Sequence, residues 1–379
     1  MLRGMEGRHD IRAAVEALPL GLVREALTGV DAWVVGGVVR DLLRGTAAPP
    51  DIDVAVDVEL EPLLARLPAA IEVEASHARF GTATVRVGGA TIDLARTRSE
   101  TYSHPGALPS VAPAGIEADL ARRDFTINAI AIPLAEPGHL LDPFAGAADL
   151  AANRLRVLHD RSFVDDPTRA IRAARYAARL RLEPDARTGE LLAATDLETV
   201  SADRRDAELA RLAAEPAAAE GFRLLAAWNV LDPGAEALEL IAAVDAVAAE
   251  PAWSADPASR VDAILIAVAG GERLRSALTL AASTAAQPSE AVRLASGRAP
   301  AELLLAAAAG CPWMSDYVGR WRQVRLQIDG DDLIAAGIPE GPAIGAGLQG
   351  ALERRLDGGL DDGREAELDL AVALARRAI

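Results

Sequence analysis

Lysine is absent from this chain: all 39 of its basic residues are arginine. The base composition of a source genome explains an Ala and Arg bias as well as chemistry does, so no function is read from it. The single cysteine, Cys311, excludes an internal disulfide and fits a reducing compartment. Aromatic residues are scarce at 3 %, and Ala inflates an apolar share of 51 %. Such a chain is expected to be helix-rich, because Ala has the best intrinsic helix propensity. No uncharged apolar run reaches membrane-spanning length. The first residues, with Arg3, Glu6, Arg8, His9 and Asp10, lack the apolar core of a signal peptide. The expectation is a soluble, cytoplasmic protein whose 379 residues make two or more domains.

The net charge of -17 argues, at face value, against a nucleic-acid partner. Phosphate binding depends on local patches, however, not on the total. From Arg154 to Arg187 nine Arg stand against five acids, Asp160, Asp165, Asp166, Glu183 and Asp185, a local balance of +4. A basic middle in an acidic chain needs an explanation.

The first 150 residues have a mixed α/β pattern. A helix around Leu20–Leu27 leads to a strand at Ala32–Val35, the Gly36-Gly37 turn, a helix through Arg40 to Leu43, and a loop at Ala47–Pro50. A strand follows at Asp51–Val56. Thr82–Val87 and Ala90–Ala95 flank Gly88-Gly89 as a hairpin, since both turn residues can take positive φ. A Pro- and Gly-rich loop, Tyr102–Gly115, precedes a helix containing Leu120–Asp124. Beyond Leu150 the pattern is helical only: Pro167–Leu180, Thr188–Thr195, Ser201–Leu212, Ala217–Ala227, Ala235–Ala248, Arg260–Val268, Ser289–Ala295, Leu352–Leu356 and Glu365–Ala378. Breaks are expected near Pro251–Pro257 and Gly337–Gly347.

The strand Asp51-Ile52-Asp53-Val54-Ala55-Val56 carries the first chemical signal. Period-2 geometry puts Asp51 and Asp53 on one face, with Cα atoms roughly 7 Å apart. Adjacent carboxylates repel unless a cation sits between them, and hard oxygen ligands suit Mg²⁺, which also binds nucleotide phosphates. Alone, the pair also fits two solvated strand residues. Gly36 and Gly37, just upstream between a strand and a helix start, let a backbone approach a phosphate closely, and Arg40 adds a charge. Asp93, mid-strand in the hairpin, is either a third carboxylate on the metal face or a plain exposed residue. Further on, Asp166-Pro167 opens a helix as N-cap and N1. Arg169, Arg172 and Arg175 then recur every three residues on one broad face. Arginines at the positive end of a helix oppose the dipole preference, so an anionic partner explains them better than helix stability.

With these motifs on the page, the chain resembles the class II tRNA nucleotidyltransferase (CCA-adding) and bacterial poly(A) polymerase family, within the polymerase-β-type nucleotidyltransferases. The motifs are Val35-Gly36-Gly37 with Arg40-Asp41, Asp51-Ile52-Asp53, Arg122-Arg123-Asp124-Phe125-Thr126-Ile127-Asn128-Ala129, and Asp165-Asp166 with Arg169. They cover roughly Ala32–Leu212 well and the remainder loosely. The resemblance implies an α+β fold: a mixed α/β nucleotidyltransferase head (1–149), then a helical neck (150–212), body (213–298) and tail (299–379). It implies that Asp51 and Asp53 hold the catalytic metal ions, with Asp93 a further catalytic carboxylate. Gly36, Gly37 and Arg40 would hold the triphosphate, Arg123, Arg172 and Arg175 would contact the nucleotide, and Asp166 with Arg169 would read the base.

That last assignment also makes chemical sense. Cytosine and adenine both present an amino donor beside a ring-nitrogen acceptor, matching a carboxylate acceptor and a guanidinium donor; uracil and guanine present the reverse. The resemblance thus implies addition of CMP and AMP to the 3′ end of tRNA, from CTP and ATP, with Mg²⁺ and without a nucleic-acid template. CC-only and A-only enzymes, a poly(A) polymerase, a small-molecule nucleotidyltransferase and a non-catalytic RNA-binding protein remain the alternatives. Two departures from the family stand out: Asp165 replaces the common Glu, and the loop Ser99–Ile116 is not Arg-rich. No appended phosphohydrolase domain is expected: the adjacent His-Asp pairs, His9-Asp10 and His159-Asp160, lie at the start of the chain and just before the Arg-rich helix, and the other His are scattered.

Overall fold

The computed structural model of the chain describes residues 11–46, 51–77, 81–253, 256–360 and 363–379. The loop expected at Ala47–Pro50 and the charged N-terminal residues lie outside them. Two packed units result, Met1–Asp232 and Pro233–Ile379. Among the described residues, no helix is long and apolar enough to cross a membrane.

The first unit is built on strands β1 (Ala32–Val35), β2 (Asp51–Val56), β3 (Glu72–His77), β4 (Thr82–Val87), β5 (Ala90–Arg96), β6 (Arg98–Thr101), β7 (Ser110–Pro113) and β8 (Ala131–Pro133). Six of them form one sheet in the order β3-β4-β5-β2-β1-β8, and β6 pairs with β7 in a separate ribbon. Only β2 and β5 run parallel in the sheet; its other neighbours are antiparallel. The alternation in β2 has the expected effect. Ile52, Val54 and Val56 are fully buried in a core with Val34, Val39, Val85, Ile92 and Leu94, while Asp51 and Asp53 face away from it. That other face is also partly covered, because Ala55 packs with Val35, Leu120, Ala129 and Ala131. The acids therefore sit in a concavity, not on an open sheet.

The helix Thr168–Leu180 follows the head within the same unit. Its small residues Ala170, Ala173 and Ala177 join Phe125, Leu155, Phe163, Tyr176, Leu180 and Leu192 in a second core. Phe125 meets Tyr176 edge-on, ring centroids 6.0 Å apart, as aromatic quadrupoles favour. Because Phe125 precedes residue 149 and Tyr176 follows it, the change to helices near 150 alters the element type without opening a gap in packing. In the second unit one cluster gathers Leu280, Leu303, Trp313, Met314 and Val318, another Leu333, Ala351, Ala371 and Ala375. The expected boundary at 298/299 falls inside the first of these.

Several elements differ from the sequence expectation. The loop Tyr102–Gly115 contains β7, which is exposed along its length and so shows no buried-face alternation. The edge strand β3 went unread for the same reason. The helix expected to contain Leu120–Asp124 is Ile116–Ala121, ending before Arg122. Beyond Leu150, Arg154–Leu155 and Glu183–Pro184 form a two-residue parallel pair. Helices at Gly271–Ala281, Pro300–Ala308, Met314–Gly319 and Gly330–Ala335 were not expected. The helix expected at Leu352–Leu356 already begins at Pro342. Gly347 lies inside it because the helix Arg364–Arg377 packs so closely that a Cβ would come within 2.5 Å of Ala371 O.

Candidate active site

A cavity of about 520 Å³ lies on the acid-bearing face of the sheet, entirely within the first unit. The parallel register of β2 and β5 sets Asp53 beside Asp93 and Asp51 beside Thr91, on strands roughly 4.8 Å apart. Asp53 and Asp93 both line the cavity, whereas Asp51, two residues before Asp53 on β2, is exposed and is not among the lining residues. Thr84 Oγ1 donates to Asp93 Oδ1 at 2.6 Å and fixes that carboxylate. Asp53 reaches solvent in the cavity, yet enough protein surrounds it that burial raises its carboxyl pKa; Arg123 opposes the rise, and Asp93 and Asp51 reinforce it. Crowded acid oxygens of this kind are what a hard divalent cation relieves. Among the described residues no three His, Cys, Asp or Glu side chains form a ready-made cage.

Gly36 makes the approach of acid and base possible. It sits at φ 73°, and a Cβ there would come within 2.9 Å of Arg123 Nη1 and 3.6 Å of Asp53 Oδ2. Gly36, Gly37, Arg123 and Arg172 all line the cavity. Each of these arginines is held by a buried acid to which the sequence reading gave no role. Arg123 Nη2 donates to Asp119 Oδ2 at 3.0 Å, and Asp119 also accepts from Arg122. Burial would raise the Asp119 pKa, but Arg123 and Arg122 bring it below the usual carboxylate range. Arg172 donates through Nε and Nη2 to Asp124 Oδ2, at 2.9 and 2.6 Å. Asp124 Oδ1 accepts from Phe125 N and Asn128 Nδ2. Although burial pushes Asp124 up, Arg172 and Asn128 hold its pKa low.

Two expected phosphate ligands are not brought to the cavity. Arg40 is 3 % exposed, donates through Nε and Nη2 to Asp41 and through Nη1 to Asn128 Oδ1, and stacks on Tyr176. It supports the wall from behind. Arg175 lies 3.8 Å from both Glu208 and Glu215. The Tyr176 ring is a shared post, with the guanidinium carbons of Arg40, Arg172, Arg175 and Arg179 5.2–5.5 Å from its centroid, within cation–π range.

Asp166 and Arg169, in contrast, both line the cavity. The helix is counted from Thr168 with Pro167 as its N-cap, one residue later than expected; Asp166, just before it, accepts through Oδ1 from Thr168 N at 3.1 Å and Thr168 Oγ1 at 2.6 Å. Arg169 is 5 % exposed. Its Nη1 donates to Arg123 O and Ser162 Oγ, its Nη2 to Arg122 O and the Tyr102 hydroxyl, so four of its five N–H groups are engaged and Nε–H remains. Tyr102 is pushed up to about 12, first by burial, with Arg169 opposing and Glu100 reinforcing. It stays protonated and donates to Glu100 Oε2 at 3.0 Å. Asp165 accepts from Arg161 at 2.9 Å and is not part of the cavity wall. Of the residues missed, Asp124 and Asn128 lay in the motif Arg122–Ala129 but carried no assigned role; Asp119, Glu208 and Arg204 had no local signal.

Residues 32–156 match the family described as Poly A polymerase head domain. The CC-adding tRNA nucleotidyltransferase of Deinococcus radiodurans is 35 % identical over 347 residues, covering 86 % of this chain and 85 % of that protein. A solved CCA-adding enzyme in its apo form II superposes with a TM-score of 0.79 at 26 % identity, over 97 % of this chain and 96 % of the other. The CCA-adding enzyme in complex with CTP gives 0.72 at 25 % identity, over 97 % of both chains.

Proposed function

We propose a reaction for this chain, which belongs to the class II tRNA nucleotidyltransferase and bacterial poly(A) polymerase family of the polymerase-β-type superfamily. It is a tRNA 3′-end nucleotidyltransferase that joins CMP and AMP, from CTP and ATP, to the terminal 3′-hydroxyl and releases pyrophosphate. One observation carries the reading. A single cavity holds the Asp53–Asp93 carboxylates, the anchored guanidinia of Arg123 and Arg172, and the Asp166–Arg169 pair.

In our assignment Asp51 and Asp53 hold the divalent cation, which we take to be Mg²⁺, with Asp93 beside them. When bound, the metal supplies an activated hydroxyl and charge neutralisation on the phosphates. Arg123 and Arg172 bind the triphosphate, and their buried acid partners keep the two forks oriented. Gly36 and Gly37 leave room for a phosphate at the wall. Arg40 and Arg175 are assigned to holding the wall instead of touching substrate. Asp166 accepts from the amino group of cytosine or adenine while Arg169 Nε donates to the ring nitrogen, so uracil and guanine meet like against like. The same pair admits both accepted bases, which favours CMP and AMP addition by one enzyme. We retain the division into head, neck, body and tail as a division of labour, with tRNA held by backbone and shape contacts of the helical parts, and we place the enzyme in the cytoplasm.

The test is direct. Transfer RNA lacking its last three nucleotides is incubated with CTP, with ATP or with both, and the product is sized. Two added nucleotides with CTP and three with both are expected. Two with both would mark a CC-only enzyme, and a long ladder with ATP a poly(A) polymerase. A second expectation follows from arginine–phosphate contacts, which release counterions: tRNA affinity should fall tenfold or more between roughly 50 and 200 mM salt. Salt-insensitive or undetectable tRNA binding would favour a small-molecule substrate.

A further inference from the structure

Arg204 belongs to the helix Ala202–Ala213, far in sequence from every motif described above, yet it lines the cavity. Its Nη2 lies 3.0 Å from Asp166 Oδ1. Its Nη1 donates to Gly106 O at 2.8 Å and reaches Ala107 O at 3.5 Å. One planar fork thus spans a carboxylate on the base-reading turn and two carbonyls in the connection between β6 and β7.

The consequence for Asp166 is geometric. Its Oδ1 accepts from Thr168 N and Thr168 Oγ1 and is ion-paired with Arg204 Nη2; Oδ2 has no such partner among the described residues. A carboxylate held at one oxygen by hydrogen bonds from one side and a guanidinium charge from another does not rotate freely about its last bond. It offers a single fixed acceptor, the number that one exocyclic amino group requires. Without Arg204, only Thr168 fixes Oδ1, and both donors come from the same residue.

The position of Arg204 rests in turn on Gly106. That residue adopts φ 70°, and a Cβ there would lie 2.1 Å from Thr199 O. The backbone at Gly106 is pressed against the segment just before the Arg204 helix, and its N–H is tied to Val164 O at 3.2 Å. Only glycine permits both the conformation and the approach. A side chain at position 106 must push the connection away from Thr199 and carry Gly106 O with it.

We infer that Arg204 is a positioning residue for base selection, holding Asp166 in the orientation that tells cytosine and adenine from uracil and guanine, and that Gly106 sets the position of Arg204. The inference rests on the assignment of Asp166 as base reader. Lysine is no substitute at position 204, because a single ammonium does not reproduce a rigid fork that grips carbonyl and carboxylate together.

The experiment measures the ratio of UMP to CMP incorporation in direct competition on one tRNA substrate, for wild type, Arg204→Ala, Arg204→Lys, Gly106→Ala, the Arg204→Ala/Gly106→Ala double variant and Asp166→Ala. A ratio is read on whatever molecules are active, so partial loss of folded protein does not move it. Arg204→Ala is expected to raise the ratio about tenfold, the scale of a good base contact, and Arg204→Lys to raise it less. Gly106→Ala, which touches no nucleotide, should raise it as well, and the double variant should add little, since both act through one bond. Wild-type ratios in Arg204→Ala, with Asp166→Ala loosened, overturn the inference and leave the base reader standing. An unchanged ratio in Asp166→Ala overturns the base-reading assignment and this inference with it. Should Gly106→Ala not fold, the Arg204 variants decide alone.

Discussion

Asp53→Asn should reduce nucleotide addition by at least about a thousandfold, roughly 4 kcal/mol in the barrier, while the metal-free protein melts at the same temperature as wild type or higher. The reason is the environment of Asp53, whose pKa is raised by burial and, against the pull of Arg123, by Asp93 and Asp51. A carboxyl whose pKa is higher in the fold than in the unfolded chain favours folding below the ordinary carboxylate range. That contribution is lost as pH rises through the raised value. At neutral pH the ionised group therefore works against the metal-free fold, and Asn removes the conflict. Added Mg²⁺ should raise the melting temperature of wild type by mass action and leave that of the variant nearly unchanged. Thermal melts with and without metal, together with a nucleotide-addition assay, check all three. A variant that melts lower without metal, or stays active, would remove Asp53 from the metal site.

Asp124→Asn should cost about 2–3 kcal/mol of stability, because it leaves the Arg172 guanidinium without its anionic partner. Breaking a fully buried pair costs about 3–5 kcal/mol, and the partial exposure of the Arg172 side chain, 30 %, reduces the figure. Spread over the first unit, that is a fall in melting temperature of roughly 5–10 °C. The sign with pH follows from the lowered Asp124 pKa, which Arg172 and Asn128 enforce despite burial. Its stabilising contribution is present above the ordinary carboxylate value and is lost as pH falls through the lowered one. Wild type should therefore lose its advantage over Asp124→Asn in acid. Addition of CMP and AMP should slow together, since our proposal assigns Arg172 to the triphosphate and not to the base. Calorimetry at pH 7 and in acid, with kinetics on both nucleotides, tests this. An equally stable variant would mean that Arg172 finds another acid, and Glu208, 3.7 Å away, is the candidate.

The arginine helix shows how far local pattern carries. Arg169, Arg172 and Arg175 recur every three residues, and that spacing alone suggests one cationic face. An α-helix has 3.6 residues per turn, so each step of three turns the side chain back by about 60°. By Arg175 the rotation is about 120°, and that residue meets Glu208 and Glu215 instead of the cavity. Arg40 departs from the expectation for a different reason. It follows a glycine turn as a phosphate ligand should, but Asp41 and Asn128 claim its guanidinium, and no local rule reveals a partner 88 residues away. The exposed strands β3 and β7 lacked alternation because neither has a face pressed against a core.

The sequence by itself determined the strand with its paired acids, the glycine turn before it, the hairpin and the capped arginine helix. Each is written in a period of two, a period of 3.6 or a two-residue turn, and such rules act within a few residues. It also determined the family, because those short motifs stand in one order. Only the tertiary structure decided that Asp93 stands beside Asp53, since a parallel pairing of β2 with β5 depends on a crossover and not on neighbours in sequence. It alone assigned Asp119 and Asp124 as the anchors of Arg123 and Arg172, and it alone brought Arg204 to Asp166. Burial is the physical reason. A charged side chain taken out of water must find an opposite charge wherever the fold supplies one, and which one it finds is a property of three-dimensional packing.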